Sequence, residues 1–367
     1  MRFRLRKSNT YIYMPKQTKK LGKNKKNKTL KKGKTKSTHH KVLLEAKKVP
    51  KLYHHPTVGI LSIPMTVTYH KNTHSYLPAS YVKWIEMNNA RVIPIPYDTP
   101  IGALDMILNQ VNGVLFIGGQ VDHGMISEEY VHFMETFKHI VNHAKKSNNQ
   151  KNYFPLFAIC LGFEVLGMMD EPVAEIINQF TTLKGLSDVD AHHYNSKLNI
   201  VKPKSKFASI FSHTEEDEFR KTPCVFQNHS QAFVVNAPYM KEWGKFWDVV
   251  ATSKSKDKKP IEYTSMYEYK KFPFYGVQFH PEKVLFEWIL PEIGRGPIFR
   301  KISKRLAKFF IDECRKNKNT VKVPDLYIRN YNLWSRSATV RKINPNKKLF
   351  KTNHSAFENS YYFDVLS

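Results

Sequence analysis

Cys160 occupies the position in this sequence that best suits a nucleophile. An apolar, strand-like run from Phe154 to Ile159 ends at this cysteine, and a helical apolar pattern through Val165 and Leu166 follows. At such a corner the sulfur is exposed above the sheet, and the positive end of the helix favours thiolate over thiol. The alternative is a buried, inert cysteine, which Cys160 taken alone favours. The cysteine becomes a candidate nucleophile only if other parts of a site accompany it.

His280 is the candidate base for that cysteine. A cysteine at its ordinary pKa is only slightly ionised at neutral pH, so a nucleophilic thiol needs a proton acceptor. Glu282 follows two residues later, and side chains two apart in an extended segment share a face, so Glu282 can orient the ring and stabilise its imidazolium form. Pro281 between them restricts the backbone. The alternative is a surface histidine beside a solvated glutamate.

Gly118 and Gly119 follow another apolar run, Gly113 to Ile117. A glycine pair after a strand lets the backbone approach a ligand and turn its N–H groups inward. The N–H of Gly119, together with that of Leu161, would then form an oxyanion hole for a tetrahedral intermediate. The alternative is an ordinary turn, which is what most glycine pairs form.

Strand-like and helical segments alternate along the chain. Apolar runs at 57–63, 91–95, 113–117, 154–159 and 274–280 predict strands, and helical patterns begin near residues 81, 128 and 299. This order predicts an α/β fold with a mostly parallel central sheet and helices on both faces. The proline at 94 favours an edge position for its strand. Ligands of such folds bind beyond the carboxyl ends of strands, which is where the glycine pair, Cys160 and His280 all fall.

The positive charge of the chain is concentrated at its beginning. Residues 1–50 hold 18 lysines and arginines and one acid, and so carry +17 of the net +28. This tail has too few apolar residues to form a core and is predicted to be disordered, ahead of a catalytic domain over 51–367. Nuclear targeting, contact with nucleic acid, adhesion to an anionic surface and no specific partner all remain open for the tail.

Localisation and metal binding are constrained by absences in the sequence. We find no signal-peptide core and no apolar run long enough to span a membrane, and three distant cysteines do not suggest a disulfide framework. An intracellular, cytoplasmic or nuclear location is the simpler expectation. Adjacent histidine pairs make poor metal ligands, and His70 and His74 flank a loop-like segment, so we predict no metal site.

The motifs taken together resemble the gamma-glutamyl hydrolase family, which has the class I glutamine amidotransferase-like, flavodoxin-like fold. The likeness covers roughly residues 56–316, and a fainter likeness at 361–364 implies that a C-terminal extension over 320–367 packs on the same domain. The segments that carry it are YFP at 153–155, CLGFE at 160–164, GVQFHPEK at 276–283, ASYVK at 79–83, ARVIP at 90–94, GGQVD at 118–122 and EW at 287–288.

The resemblance implies hydrolysis of gamma-glutamyl bonds, chiefly in folate poly-gamma-glutamates, through a thioester on Cys160. It implies His280 as general base and then acid, Glu282 as its orienting partner, and no metal or organic cofactor. His229 falls where the family has a histidine near the substrate. Homodimers are common in the family.

Glu164 and Gly118 complete the predicted substrate-binding residues, together with His229. Ammonia-delivering glutaminases of this fold usually have glutamine at the position of Glu164, which favours a hydrolase. The chain departs from the family at Ala158, usually glycine, where alanine costs ~1–2 kcal/mol if the position needs a positive φ. It also departs over residues 170–225 and by its basic tail, since family members are often secreted, lysosomal or vacuolar. A glutaminase-type amidotransferase subunit and a catalytically silent, nucleic-acid-associated protein remain the alternatives.

Overall fold

The structure is a computed structural model that describes residues 55–65, 73–119, 128–170, 185–335 and 357–364. All of them belong to one unit, His54–Ser367. The predicted disordered tail at 1–50 and the histidine at position 70 lie outside the described residues. So does part of the segment that departs from the family, residues 171–184.

The described chain alternates strands and helices as the sequence pattern predicted. Its strands are β1 (Thr57–Leu61), β2 (Ile63–Pro64), β3 (Thr73–Pro78), β4 (Arg91–Ile95), β5 (Gly113–Phe116), β6 (Leu156–Ile159), β7 (Ser187–Ser196), β8 (Asn199–Ile200), β9 (Val225–Ala232), β10 (Trp247–Lys254), β11 (Glu262–Tyr269), β12 (Phe274–Val277), β13 (Leu333–Ser335) and β14 (Asn359–Asp364). Its α-helices are α1 (Ala79–Glu86), α2 (Ile101–Leu108), α3 (Glu128–Asn149), α4 (Leu161–Gly167), α5 (His213–Lys221), α6 (Met240–Trp243), α7 (Lys283–Phe286) and α8 (Pro297–Cys314). Short 3₁₀ turns span Ala208–Ile210, Pro324–Leu326 and Ile328–Asn330.

Eight strands form the central sheet, in the order β4-β1-β5-β6-β12-β11-β10-β8. The pairings from β4 to β12 are parallel, and the remaining three are antiparallel. Helices α1 and α2 make the crossovers from β1 to β4 and from β4 to β5, which parallel pairing requires. Pro94 lies in the edge strand β4, as predicted, because an edge position tolerates the missing N–H. The mostly parallel sheet is confirmed.

Helices cover both faces of this sheet. Phe116 of β5 and Phe157 of β6 point to opposite faces, because Phe116 is in register with the residue after Phe157. On one face Phe157 packs against Trp84 of α1 and Phe310 of α8. On the other, Phe116 stacks on Phe137 of α3 with ring centroids 3.6 Å apart. The prediction that helices cover both faces of the sheet is therefore confirmed.

The two long helices bury the apolar stripes that their spacing predicted. Residues that recur every three to four positions fall on one face, and that face packs onto the sheet. Among those buried in α3 are Tyr130, Phe133, Met134, Phe137, Ile140, Val141 and Ala144. Among those buried in α8 are Phe299, Ile302, Leu306, Phe309, Phe310 and Glu313. No helix within the described ranges is both long and apolar enough to cross a membrane.

Two smaller sheets complete the described structure. Strands β13, β14, β3 and β2 form one, in which β14 pairs antiparallel with β3. This pairing places residues 359–364 beside the strand that leads into α1. Strands β7 and β9 form the other, within a region where the sequence showed no strong periodicity.

Candidate active site

Three neighbouring strands of the central sheet end at the same edge. Strands β5, β6 and β12 lie side by side and parallel, and end at Phe116, Ile159 and Val277. The residues that follow them include Gly118, Cys160 and His280 respectively. The fold therefore brings together the three sequence segments that were expected to form one site.

Cys160 occupies a sharp turn between β6 and α4. Its φ is 52° and its ψ is −112°, a conformation that non-glycine residues rarely adopt, and its N–H donates to the carbonyl of Val277 at 3.0 Å. Strain of this kind persists where the surrounding structure holds it, as at a nucleophile elbow. Ala158 lies within β6 and is not among the positive-φ residues, so alanine incurs no such cost there.

The environment of Cys160 favours the thiol rather than the thiolate. Burial raises the pKa of Cys160 well above its usual value, and Glu164 acts in the same direction. Lys283 and the N–H of Leu161 oppose them without reversing the shift. Burial therefore outweighs the groups that favour ionisation, and the helix end by itself does not make Cys160 a thiolate. Deprotonation of Cys160 therefore depends on a base.

His280 and Glu282 form a buried pair beside the thiol. Nδ1 of His280 lies 2.8 Å from Oε1 of Glu282, and both side chains are almost completely buried. Burial lowers the pKa of His280, against the effect of Glu282 and the carbonyl of Asn228, which both favour the protonated ring. The ring is thus neutral at rest, and any imidazolium formed on it faces a carboxylate. That is the arrangement a general base and its orienting partner require.

The backbone that positions this pair differs from the one expected. The sequence predicted an extended segment through His280, with alternation placing Glu282 on the same face. Instead β12 ends at Val277, and Glu282 has helical backbone angles at the start of α7. The contact forms through a turn, because Pro281 bends the chain toward α7. The prediction that alternation along a strand places Glu282 beside His280 was wrong, although the two side chains do form a hydrogen bond.

Gly118 lies in contact with both the candidate nucleophile and the candidate base. A methyl group added to it would lie 2.9 Å from Cε1 of His280 and 3.1 Å from Cβ of Cys160. It would also lie 2.8 Å from the hydroxyl oxygen of Tyr81. Gly118 has no positive φ, so close approach rather than backbone conformation requires glycine here.

Tyr81 is a site residue that the sequence pattern did not distinguish from apolar core. Its hydroxyl accepts a hydrogen bond from the N–H of Gly118 at 3.0 Å and is close to the carboxylate of Glu282. Burial and then Glu282 raise its pKa well above the usual value, so the hydroxyl stays protonated. Helical spacing placed Tyr81 on the buried face of α1, and only its polar tip distinguishes it from its neighbours.

The two residues expected to hold an oxyanion, Gly119 and Leu161, lie next to each other. A methyl on Gly119 would lie 3.2 Å from a side-chain carbon of Leu161, and the N–H of Leu161 is directed at the Cys160 sulfur. Within the part of the chain that the structure describes, no hydrogen bond engages the N–H of Gly119. The N–H of Gly118, by contrast, is occupied by Tyr81.

Glu164 lies one turn into α4, below the thiol. Its Oε1 accepts a hydrogen bond from Nε2 of Gln278 at 2.8 Å. Burial raises the pKa of Glu164 to about 8, so the carboxyl is mostly protonated at neutral pH. In that state it adds no negative charge next to Cys160.

His229 is buried in β9 and already has two protein contacts. Its Nδ1 lies 2.9 Å from the carbonyl oxygen of Gln231, and its Nε2 lies 3.0 Å from the side-chain oxygen of Gln227. Burial lowers the pKa of His229 to about 3. A contact between His229 and substrate remains a prediction.

The other sulfur and imidazole groups that the structure describes form no second cluster. Cys224 and Cys314 are buried free thiols. His192 and His193 are exposed on β7. Across the described ranges, no three histidine, cysteine or acidic side chains converge as metal ligands do.

Known proteins resemble this chain in sequence. The Peptidase C26 family model matches residues 56–282. This chain belongs to the Peptidase C26 family. Gamma-glutamyl hydrolase 2 of Arabidopsis thaliana is 31% identical over 282 residues, covering 74% of this chain and 75% of the relative. Gamma-glutamyl hydrolase of Homo sapiens is 30% identical over 319 residues, covering 84% and 90%.

A solved structure of glutamine amido transferase from Methylobacillus flagellatus is also similar. It is 12% identical, with a TM-score of 0.39 over 72% of this chain and 96% of that chain. The Peptidase C26 match and the gamma-glutamyl hydrolase relatives confirm the family resemblance that the motifs indicated. They also confirm the predicted class, an enzyme of the gamma-glutamyl hydrolase type.

Proposed function

We propose that this C26 peptidase hydrolyses gamma-glutamyl peptide bonds, with Cys160 as nucleophile, His280 as base and Glu282 as the orienting carboxylate. The observation that supports it is the meeting of Cys160 and His280 around Gly118, with Nδ1 of His280 held 2.8 Å from Glu282. Nε2 of His280 is then the nitrogen that exchanges protons with sulfur and substrate.

Acylation begins from a neutral thiol and a neutral ring. The Cys160 proton moves to His280 as sulfur bonds to the gamma-carbonyl carbon, and the N–H groups of Gly119 and Leu161 hold the oxyanion. The carbon–nitrogen bond then breaks as His280 gives its proton to the leaving amine. A gamma-glutamyl thioester remains on Cys160.

Deacylation repeats these steps with water. His280 takes a proton from the water, whose oxygen bonds to the thioester carbon, and the carbon–sulfur bond breaks. The proton returns to Cys160, so the chain is regenerated without a cofactor. The imidazolium that forms twice in this cycle is stabilised each time by Glu282.

The proposed substrates are folate poly-gamma-glutamates. Their glutamyl chains are strongly anionic, and residues 51–367 carry +11 of the net +28, which favours association with an anionic ligand. We place Glu164, Gly118 and His229 around the glutamyl group that is cleaved. A homodimer and a role for residues 1–50 remain predictions.

The test is incubation with a folate bearing five gamma-linked glutamates, with chain length followed by chromatography. Wild type is expected to shorten the ligand, and Cys160→Ala to lower kcat by at least ~10⁴-fold. Cys314→Ala is the matched control, because it removes another buried sulfur far from His280 and should leave kcat within about twofold.

Two results contradict the proposal. If folded Cys160→Ala shortens the ligand as fast as wild type, this cysteine is not the nucleophile. If wild type releases ammonia from glutamine but leaves the folate chain intact, the chain is a glutaminase rather than a gamma-glutamyl hydrolase.

A further inference from the structure

Lys283 is a buried cation next in sequence to Glu282 of the candidate catalytic pair. It is the first residue of α7 and only 1% exposed, although lysine is almost never fully buried unless paired. Its ammonium lies 4.3 Å from the ring centroid of Phe357. Among the described residues, no oxygen accepts a hydrogen bond from that ammonium. Neither the sequence motifs nor the proposed mechanism gives this side chain a role.

The buried carboxylate of Glu282 needs a balancing positive charge. It is 0% exposed, and an isolated buried carboxylate is strongly unfavourable unless a cation is near. His280 does not supply that charge at rest, because burial lowers its pKa. Lys283 supplies it: burial lowers the pKa of this lysine, but Glu282, then Glu287 and Cys160, act against burial and favour the charged form.

The other ionisable groups near Lys283 do not balance the charge of Glu282. Glu287 is 1% exposed, and burial raises its pKa to about 7, so this carboxyl is only partly ionised at neutral pH. Arg295 is partly exposed and faces Glu358 and Glu287. Tyr81 carries no charge. Lys283 is left as the buried cation available to Glu282.

We propose that Lys283 is a positioning residue, which balances the buried charge of Glu282 and so keeps that carboxylate able to hold His280. The inference rests on the proposed function only in taking this pair as catalytic. At rest the cluster is a neutral thiol, a neutral ring, a carboxylate and an ammonium, and the last two charges cancel. Proton transfer from Cys160 to His280 then creates a thiolate and an imidazolium beside a carboxylate that is already balanced.

The C-terminal segment holds Lys283 in this place. A cation over an aromatic face is attracted by the ring, more strongly when water is excluded, and Phe357 is itself buried. The N–H of Glu358 donates to Oε2 of Glu287 at 2.9 Å, and Glu358 in turn accepts from the N–H of Trp288 at 3.0 Å. The following strand β14 pairs with β3. A segment more than 70 residues downstream of Glu282 thereby contributes to the catalytic cluster.

The experiment compares wild type with Lys283→Met in the full chain. The pH dependence is measured for kcat/KM and, separately, for alkylation of Cys160 by iodoacetamide, followed on the Cys160 peptide by mass spectrometry. Loss of this cation raises the pKa of His280 and of Cys160, because Lys283 lowers both. The acidic limb of both profiles should therefore move upward by about one pH unit. At pH 7, kcat/KM should fall ~10–100-fold, less than when an orienting carboxylate is lost outright.

Matched variants separate this role from a structural one. Lys283→Arg keeps the charge, so the acidic limbs of its pH profiles should match those of wild type. Lys304→Met, on the exposed face of α8, should leave both profiles unchanged. Phe357→Leu should shift the limb in the same direction by a smaller amount, whereas Phe357→Tyr should not.

If Lys283→Met folds and the acidic limbs of its two pH profiles match those of wild type, the inference is overturned. If Lys283→Met does not fold, Phe357→Leu decides: an unshifted limb overturns the inference, and an upward shift that Phe357→Tyr lacks supports it. The alkylation profile needs no substrate. If the alkylation limb shifts but no hydrolysis is detected, the role of Lys283 is supported and the proposed function is contradicted. If hydrolysis is detected but neither limb shifts, the proposed function is supported and the role of Lys283 is contradicted.

Discussion

The two ends of the central sheet each bury a free cysteine and a glutamate. Cys160 and Glu282 lie at the carboxyl ends of the strands. Cys314 and Glu313 lie at the amino ends, where the Cys314 sulfur would be 2.8 Å from a methyl group added to Gly113 at the start of β5. Burial raises the pKa of both thiols well above the usual value. Composition and burial therefore do not separate a candidate nucleophile from an inert cysteine.

What separates the two ends is the partner of each carboxylate. Glu313 receives hydrogen bonds from Lys206, Lys316 and Tyr153, and from the hydroxyl of Tyr275 at 3.1 Å. Burial alone would raise its pKa, but these donors lower it overall. At the other end the hydrogen-bonded partner of Glu282 is an imidazole. The comparison shows that an ion cluster stabilises a fold, whereas a carboxylate held against a neutral base can support proton transfer.

The largest expected effect comes from the matched pair Glu282→Gln and Glu313→Gln. Glu282→Gln should lower kcat by roughly 10³-fold, because the amide cannot stabilise the imidazolium of His280. Glu313→Gln should leave kcat within about twofold but lower the free energy of unfolding by ~2–4 kcal/mol, since Lys206 loses its charged partner. Steady-state kinetics and urea unfolding measure the two quantities. Equal losses of kcat in both variants would remove the distinction between the two ends.

Two glycines offer a second, sharper comparison. Alanine at Gly118 places a methyl against Tyr81, His280 and Cys160, so kcat/KM should fall ~10²-fold through misplacement of the reacting groups. Alanine at Gly113 places a methyl 2.8 Å from the Cys314 sulfur and 2.8 Å from a backbone carbonyl. That variant should lose ~1–3 kcal/mol of unfolding free energy and keep its kcat/KM. An active Gly118→Ala enzyme would contradict the site geometry.

A third comparison is the pH dependence of stability at two buried carboxyls, which leaves the catalytic groups unchanged. Glu164 has a pKa raised to about 8, so the folded state holds a proton that the unfolded state releases above ~4.3. Wild type should thus lose stability relative to Glu164→Gln as pH rises from about 4.5 to 8. The lowered pKa of Glu313 has the opposite sign: its contribution is present above the unfolded pKa and is lost as pH falls.

The measurement is urea unfolding of wild type and both glutamine variants between pH 4 and 8. The stability difference between Glu164→Gln and wild type should grow with pH in favour of the variant. For Glu313→Gln the difference should favour wild type, stay nearly level above about pH 4.5 and shrink only as pH falls to 4 and below. Parallel pH dependences would mean that the two carboxyls have similar environments.

The elements of this fold and the identity of its candidate site could be predicted from sequence. Periodicity identified the core strands and the stripes of α3 and α8, because apolar spacing records directly which face is buried. Order along the chain placed the ends of β5, β6 and β12 at one edge, since parallel strands joined by crossovers share a direction. The region containing β7 and β9 was not predicted, because its burial depends on contacts with distant segments.

Sequence by itself determined which residues are candidates for the chemistry: a cysteine at a strand-to-helix corner, a histidine with a glutamate two positions on, and glycines after a strand. Only the tertiary structure decided their chemical state. Desolvation, which no local pattern reports, favours thiol over thiolate at Cys160 and gives Glu164 a pKa near 8. The same packing brings Tyr81 and Lys283, from separate segments, near one buried carboxylate and places Phe357 against Lys283. Charges and burial act through space, so their effect is fixed only when the chain has folded.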